Sequence, residues 1–217
     1  MAYDFDKIAR DYDRMNHLMT AGLDRCWRKR AVQGLHGNVL DVACGTGDMA
    51  VELLRQGCSV TGVDLSKDMM AIAKRKAPQA EYRLADVERL PFGDASFDAV
   101  TCAFGVRNFV HLEQGLHEML RVLKPGGRMV ILELATPDSA LIRPFYNLYT
   151  RRIIPWLGQR LAGSREAYTY LPRSIERFPK GKEFLAILQR QGVRATERKL
   201  TFGVCRMYVV DKEAARG

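Results

Sequence analysis

The chain of 217 residues is poor in the patterns that mark metal, disulfide or membrane-spanning proteins. Its five cysteines, Cys26, Cys44, Cys58, Cys102 and Cys205, are odd in number and form no C-x-x-C pair. Cys44, Cys58 and Cys102 lie in apolar runs, where a free thiol behaves as a small hydrophobe. Neither a disulfide framework nor a zinc ribbon is expected. His111 and His117 have no H-E-x-x-H pattern and no cysteine companion, so no metal is expected. No apolar run approaches 18 residues, so no helix is expected to cross a membrane. Met1-Ala2-Tyr3-Asp4-Phe5-Asp6-Lys7 lacks the charge-then-apolar order of a signal peptide. These absences point to a reducing, cytoplasmic setting. Internal repeats and low-complexity tracts are also missing.

Much is present. Hydrophobic residues make up 47% of the chain, which is ample for a core. The formal net charge is +9 and the sequence pI is about 9.5, which favours acidic partners: nucleic acid, an anionic membrane surface or an anionic substrate. The length suits a single domain.

The stretch Val39-Leu40-Asp41-Val42-Ala43-Cys44-Gly45-Thr46-Gly47-Asp48 organises the rest. It reads as a buried strand, a small-residue turn and the start of a helix. Gly45 and Gly47 permit a left-handed turn and close approach of a ligand to the backbone. The helix N-terminus would point free N–H groups at that ligand. A second apolar run, Ser59–Val63, closes on Asp64, where a dinucleotide-type fold places a ribose-binding carboxylate. Leu65 stands beside it.

Strands are expected at 38–43, 58–63, 80–85, 97–103, 129–135, 193–199 and 203–210, and helices at 47–56, 67–77, 112–123 and 180–191. That alternation implies right-handed crossovers and a mainly parallel sheet. Before it, Phe5, Ile8, Tyr12, Met15 and Met19 recur at helical spacing, so residues 1–34 are expected as a helical cap over the site or a packing helix. Asp86 ends the third strand, either against a nucleobase amine with Val87 or as a plain turn cap. Residues 136–178 break the rhythm with four prolines and many aromatics. Between 141 and 180 stand eight basic residues and two acidic ones. This insertion reads as a substrate lid or as a helical pair with a solvated basic face.

The turn Asp41–Gly47 resembles the glycine-rich motif of Rossmann-like S-adenosylmethionine-dependent methyltransferases, with Ala43 where a first glycine often stands. Three more stretches narrow the resemblance. They are Tyr12-Asp13-Arg14-Met15-Asn16-His17-Leu18-Met19-Thr20, Ala103-Phe104-Gly105-Val106-Arg107-Asn108, and the Tyr168-x-Tyr170-Leu171-Pro172-x-Ser174-Ile175 element. All three resemble the C-methyltransferases of menaquinone and ubiquinone biosynthesis. The resemblance implies a seven-stranded, mostly parallel α/β sheet with a C-terminal antiparallel hairpin and a helical lid. It implies S-adenosyl-L-methionine as cofactor, with Asp41, Gly45, Thr46, Asp64, Leu65, Asp86 and Val87 around it. Ala103 stands where some members carry a serine that bonds the cofactor.

The implied reaction methylates a ring carbon of a demethylated isoprenoid quinol, with demethylmenaquinol favoured. A ubiquinone precursor, another small molecule and a non-catalytic binding role are the alternatives. Arg107 is the lead residue for stabilising a phenolate, with a structural salt bridge as its other reading. Asn108 could hold a ring oxygen, and His111 is the nearest titratable group. His17 and Tyr12 stand in reserve. The prenylated substrate implies transient contact with the inner face of a membrane, and a homodimer is compatible. Nucleic acid is not an expected partner, because the chain has neither an N/D-P-P-Y/F turn after the fourth strand nor a Pro-Cys nucleophile.

Overall fold

The computed structural model describes residues 12–153 and 172–214. Phe5, Ile8 and Tyr168-x-Tyr170-Leu171 therefore lie outside the described residues. Two N-terminal helices, α1 (Tyr12–Met19) and α2 (Leu23–Ala31), precede the sheet. The expected cap is thus broken in two, because Ala21 and Gly22 take positive φ of 50° and 73°. The alternating core follows as β1 (Asn38–Val42), α3 (Asp48–Arg55), β2 (Ser59–Asp64), α4 (Lys67–Lys76), β3 (Glu81–Leu84), β4 (Phe97–Ala103), α5 (Leu112–Val122) and β5 (Leu123–Leu134). The insertion begins with α6 (Arg143–Leu148), which runs into a wider helical turn over Tyr149–Ile153. After it come a short helix α7 (172–177), α8 (Lys182–Arg190), β6 (Ala195–Leu200) and β7 (Cys205–Asp211).

The seven strands form one sheet in the order β3-β2-β1-β4-β5-β7-β6. All pairings among β1 to β5 are parallel, and β7 pairs antiparallel with both β5 and β6. The expected C-terminal hairpin is therefore present. The fifth strand departs from the expected 129–135 by starting at Leu123, so that Lys124-Pro125-Gly126-Gly127 belongs to its extended segment. Phe97 pairs with Leu123 and Ala99 with Arg128, so Lys124–Gly127 bulges between them. Lys124 bonds Asp98 at 2.7 Å and the Gly126 N–H donates to Lys212 at 2.9 Å, which fixes the bulge.

Helices cover both faces, as the doubly apolar central strands require. On one face α5 and α8 bury Leu116, Met119, Phe184 and Leu188 against Leu40, Val100 and Ile131. Phe184 meets Phe178 and Tyr208 with ring centroids 5.1 and 4.6 Å apart. On the other face α2 and α3 bury Trp27, Ala31, Met49 and Leu53 against Val39, Val60 and Val130. Each such large side chain contributes about 1.5–3 kcal/mol by leaving water.

The turns after β1 and β4 touch. Ala43 has φ 51° and Phe104 φ 61°, both in the left-handed region. That conformation costs about 1–2 kcal/mol for a residue with a Cβ. A Cβ on Gly105 would stand 2.7 Å from the Ala43 Cβ and 2.9 Å from the Cys102 sulfur. Gly105→Ala is therefore expected to lower stability by about 1–3 kcal/mol through overpacking. Ala43→Gly in the same chain should recover part of the loss by removing one of the two clashes. Urea unfolding of the single and double variants checks both.

Candidate functional site

The parallel strands end at one edge of the sheet. β1 and β4 are neighbours, but their connections leave in opposite directions along the sheet, which opens a crevice at their carboxyl ends. A cavity of about 250 Å³ occupies it. Ala43 and Gly45 line it after β1, and Asp64, Leu65, Ser66 and Met69 after β2. Ala85, Asp86, Val87 and Glu88 contribute after β3. Ala103, Phe104, Gly105, Asn108, Phe109 and Val110 contribute after β4, and Tyr12 closes over it from α1.

Asp64 is oriented by its own surroundings. One carboxylate oxygen accepts from the Gly45 N–H at 2.8 Å and the other from the Ser66 N–H at 2.9 Å. A carboxylate has about four acceptor positions, so this orientation is compatible with ligand hydroxyls. Leu65 stands 62% exposed as an apolar lip. Asp86 is the turn cap of its plain reading and also stands in the cavity wall. It lines the cavity, and its Oδ1 accepts from the Glu88 N–H at 2.9 Å to cap the turn Val87–Arg89.

Thr46 is placed differently. It is buried and is not a cavity wall. Its hydroxyl donates to Asp13 of α1, and Lys76 donates to Asp13 and, at 2.7 Å, to Asp48. Asp41 lies buried beneath the turn and its Oδ1 accepts from the Thr101 hydroxyl at 2.9 Å. Its Oδ2 has no hydrogen-bond partner among the described residues. Burial pushes the Asp41 carboxyl up to about 7, against the lowering effects of Thr101 and Arg28.

Arg107 and Asn108 follow β4, and their roles divide. Asn108 lines the cavity. Arg107 is in the salt bridge that was its alternative reading: Nη1 donates to Glu133 at 2.6 Å and to the Phe104 carbonyl at 2.5 Å. The two side chains are 5% and 1% exposed. Glu133 also accepts from the N–H groups of Arg107 at 3.2 Å and Leu134 at 2.8 Å. The Arg107 charge nevertheless reaches two tyrosines. Burial raises the Tyr12 phenol and raises that of Tyr146 to about 12, while Arg107 lowers both.

His111 is not brought into the cavity. It occupies the N-cap position of α5, 72% exposed, with Nδ1 2.7 Å from Glu88. Its backbone N–H donates to the same carboxylate at 2.6 Å, and these hydrogen bonds hold Glu88 below the usual carboxylate range. The imidazole thus serves a helix end. His17 is likewise engaged, with Asp24 at 2.8 Å and Asp48 at 3.7 Å. Glu133 was missed, although a lone acid in the apolar run Met129–Leu134 signals a buried partner. Phe104 and Phe109 were missed because loop walls carry no periodicity, and Ser66 and Met69 because the first turn of α4 reads as an ordinary helix start.

The donor set fits S-adenosylmethionine. Gly45 has φ 53°, and a Cβ there would meet nothing within 4 Å, so the backbone is open to a ligand. Asp64 and Asp86 offer carboxylates to hydroxyl and amine groups. The unpartnered Asp41 oxygen gives the turn an acceptor that suits a cationic ligand.

Known proteins agree with this geometry. The model of the ubiE/COQ5 methyltransferase family matches residues 2–212. The ubiquinone/menaquinone biosynthesis C-methyltransferase UbiE of Geobacter sulfurreducens is 45% identical over 96% of this chain and 86% of its own length. The demethylmenaquinone methyltransferase of Thermus thermophilus is 41% identical over 96% of this chain and 99% of its own length. A SAM-dependent methyltransferase of Aquifex aeolicus shares the fold, with a TM-score of 0.64 at 17% identity over 91% of this chain and 96% of that one. Matched by the family model over residues 2–212 and 41–45% identical to the first two of these relatives over 96% of its length, the chain belongs to the ubiE/COQ5 methyltransferase family.

Proposed function

We propose that the protein methylates a ring carbon of a demethylated isoprenoid quinol, converting demethylmenaquinol to menaquinol with S-adenosylmethionine as methyl donor. The observation that carries this reading is a single cavity whose walls join the glycine turn and Asp64 to Asn108 of the Phe-Gly-Val-Arg-Asn turn. The names of the curated relatives support the same substrate class. When bound, S-adenosylmethionine supplies an electrophilic methyl group on a sulfonium.

The protein's own residues do the rest. Asp64 would hold ribose hydroxyls, Asp86 an exocyclic amine, and Leu65 and Val87 the faces of the base. A ring carbon is a weak nucleophile until an ortho oxygen ionises, and a phenol ionises near pH 10 in water. Positive charge and aligned donors beside that oxygen favour the ionised form. Arg107, fixed by Glu133, supplies the charge. Asn108 on the wall and Tyr12, kept protonated by burial, supply donors. Apolar walls, including Phe104, Phe109 and Val110, exclude water from the ring.

The direct test is methyl transfer from labelled S-adenosylmethionine to short-tail demethylmenaquinone and to the demethylated ubiquinone precursor, each reduced and oxidised. Label is expected in the reduced naphthoquinol. Label in neither reduced acceptor, with cofactor binding intact, overturns the quinol assignment.

The ion pair decides how Arg107 is tested. Arg107→Ala alone leaves Glu133 buried and unpaired, at a cost of about 3–5 kcal/mol. The neutral pair Arg107→Gln with Glu133→Gln should fold within about 1–2 kcal/mol of the parent, because neither side chain is then a buried lone charge. It should bind the donor within a few-fold and lose turnover by about 100-fold or more. Calorimetry and steady-state kinetics on the double variant separate the two effects. Unchanged turnover removes Arg107 from the mechanism.

Asp41 makes stability depend on pH. Its carboxyl titrates at about 7 in the folded chain and in the ordinary carboxylate range when unfolded. Between those values the folded state holds a proton that the unfolded state has released, so stability falls as pH rises through this window. Its penalty is complete above pH 7 and absent below the unfolded value. Asp41→Asn should therefore stabilise the ligand-free protein more at pH 8 than at pH 4.5, by on the order of a few kcal/mol. Denaturant unfolding at the two pH values checks the difference.

A further inference from the structure

The large apolar side chains that the described residues leave in solvent gather at one pole. Leu65 follows β2, Val110 follows β4, Leu141, Phe145 and Leu148 follow β5, and Phe202 follows β6. Leu23 is the one exposed large apolar side chain among the described residues that does not lie at or beyond the carboxyl end of a strand. This is the pole where the cavity opens, and Leu65 and Val110 belong to its walls.

Two parts of the pole are built to present these groups. The first is α6. Phe145 and Leu148 are three residues apart and share one face of it, and Leu141 stands in the turn that leads into it. Phe145 is 75% exposed and Leu141 82%. The other face turns inward: Thr150, in the turn that continues α6, is buried, Tyr149 donates to the Met19 carbonyl at 3.2 Å, and Tyr146 feels the Arg107 charge. The helix is thus anchored beside the site by one face while the other has no cover among the described residues.

The second is the turn between β6 and β7. Thr201 and Phe202 take φ of 45° and 56°, a conformation unfavourable for residues with side chains. Trp27 holds it by donating to the Thr201 hydroxyl at 2.9 Å. The strained turn keeps Phe202 in solvent, 76% exposed. It also adjoins the start of the insertion, since the Gly203 position lies within 4.0 Å of Pro137 and Asp138.

Among the described residues the exposed charge on the insertion and α7 is net positive, four arginines against Asp138 and Glu176. Arg143, Arg152, Arg173 and Arg177 are exposed on the insertion and on α7. Shallow aromatic and aliphatic groups rimmed by arginines match the boundary between anionic headgroups and acyl chains. We infer that the carboxyl-edge pole, led by Phe145 and Phe202, docks on an anionic bilayer surface and sets the cavity mouth against the lipid. The surface chemistry stands on its own. Its purpose rests on the quinol reading, because a prenylated ring reaches the site from within the bilayer.

The test is co-sedimentation with phosphatidylcholine vesicles, with and without phosphatidylglycerol, using the full chain. The parent should bind the anionic vesicles and bind neutral ones weakly. Phe145→Glu with Phe202→Glu should lower partitioning by about tenfold or more, whereas Phe145→Leu should keep most of it. Turnover of a long-tail quinol in vesicles should fall in parallel, while turnover of a tail-less soluble quinol stays at the parent level. Loss of vesicle binding in the Glu variants with no methyl transfer to any quinol still supports the docking face and overturns the substrate reading alone. Absence of parental binding, binding indifferent to the Glu substitutions, or a concentration-dependent dimer that the Glu variants abolish without any vesicle binding overturns the inference.

Discussion

The site exists because parallel strands must all end at the same edge. A β-α-β crossover returns the chain to the amino edge before each new strand, so every loop that leaves a strand is delivered to the carboxyl edge. The order β3-β2-β1-β4-β5 then places two neighbours, β1 and β4, whose connections part in opposite directions. That parting leaves a gap between them, lined in part by Tyr12 of α1. The glycine turn and the Phe104-Gly105 turn meet in that gap, and Gly105 is the residue that lets them approach. The cavity is thus a property of the topology, and the side chains around it inherit their positions from where strands stop.

The same edge concentrates buried charge. Asp41 on β1, Glu133 on β5 and Arg206 on β7 all sit within the sheet at 2% exposure or less. Such groups are unfavourable unless each finds a partner. Glu133 has Arg107, and Arg206 has Glu197 and a two-pronged bond to Asp138 at 2.6 and 2.7 Å. Asp41 has Thr101 for one oxygen and, among the described residues, nothing for the other. The paired groups fasten loops to strand ends and so make the site rigid. The half-satisfied one leaves electrostatic demand beneath the glycine turn, where a cationic ligand would answer it.

Legibility in the sequence followed how strictly geometry limits the residue. The glycine turn and Asp64 could be read because a positive φ and a strand-end carboxylate admit few residue types. Most strands and helices of the alternating core could be read within a residue or two, since their burial imposes periods of two and 3.6, but β5 begins at Leu123 and not at 129 because Lys124–Gly127 bulges within it. The break at Ala21–Gly22 was not read, because helical spacing persists across a two-residue interruption. The Arg107–Glu133 pair was only half read: two residues 26 positions apart meet through strand adjacency, which a single sequence does not state. His111 misled for a different reason. A histidine three residues beyond a functional turn and a histidine at the start of a helix look alike until Glu88 is seen to hold both its ring and its backbone.

The N-terminal helices connect the glycine turn to the insertion after β5. Asp13 of α1 receives the Thr46 hydroxyl and the Lys76 ammonium, while His17 bridges Asp24 and Asp48. Arg28 of α2 pairs with Asp24 and lies 3.8 Å from Asp48, so α1, α2, α3 and α4 share one charged junction behind the glycine turn. On the far side, the Tyr149 hydroxyl donates to the carbonyl of Met19, the last residue of α1. Tyr12, at the other end of the same short helix, lies over the cavity. One eight-residue helix therefore touches the cofactor turn, the roof of the cavity and the insertion that carries the exposed apolar face. A shift of α1 cannot change one of these contacts alone. The Thr46 anchor, the position of Tyr12 at the cavity and the Tyr149 contact are therefore coupled through one short helix, which is why so much of the chain's distinctive sequence falls on it.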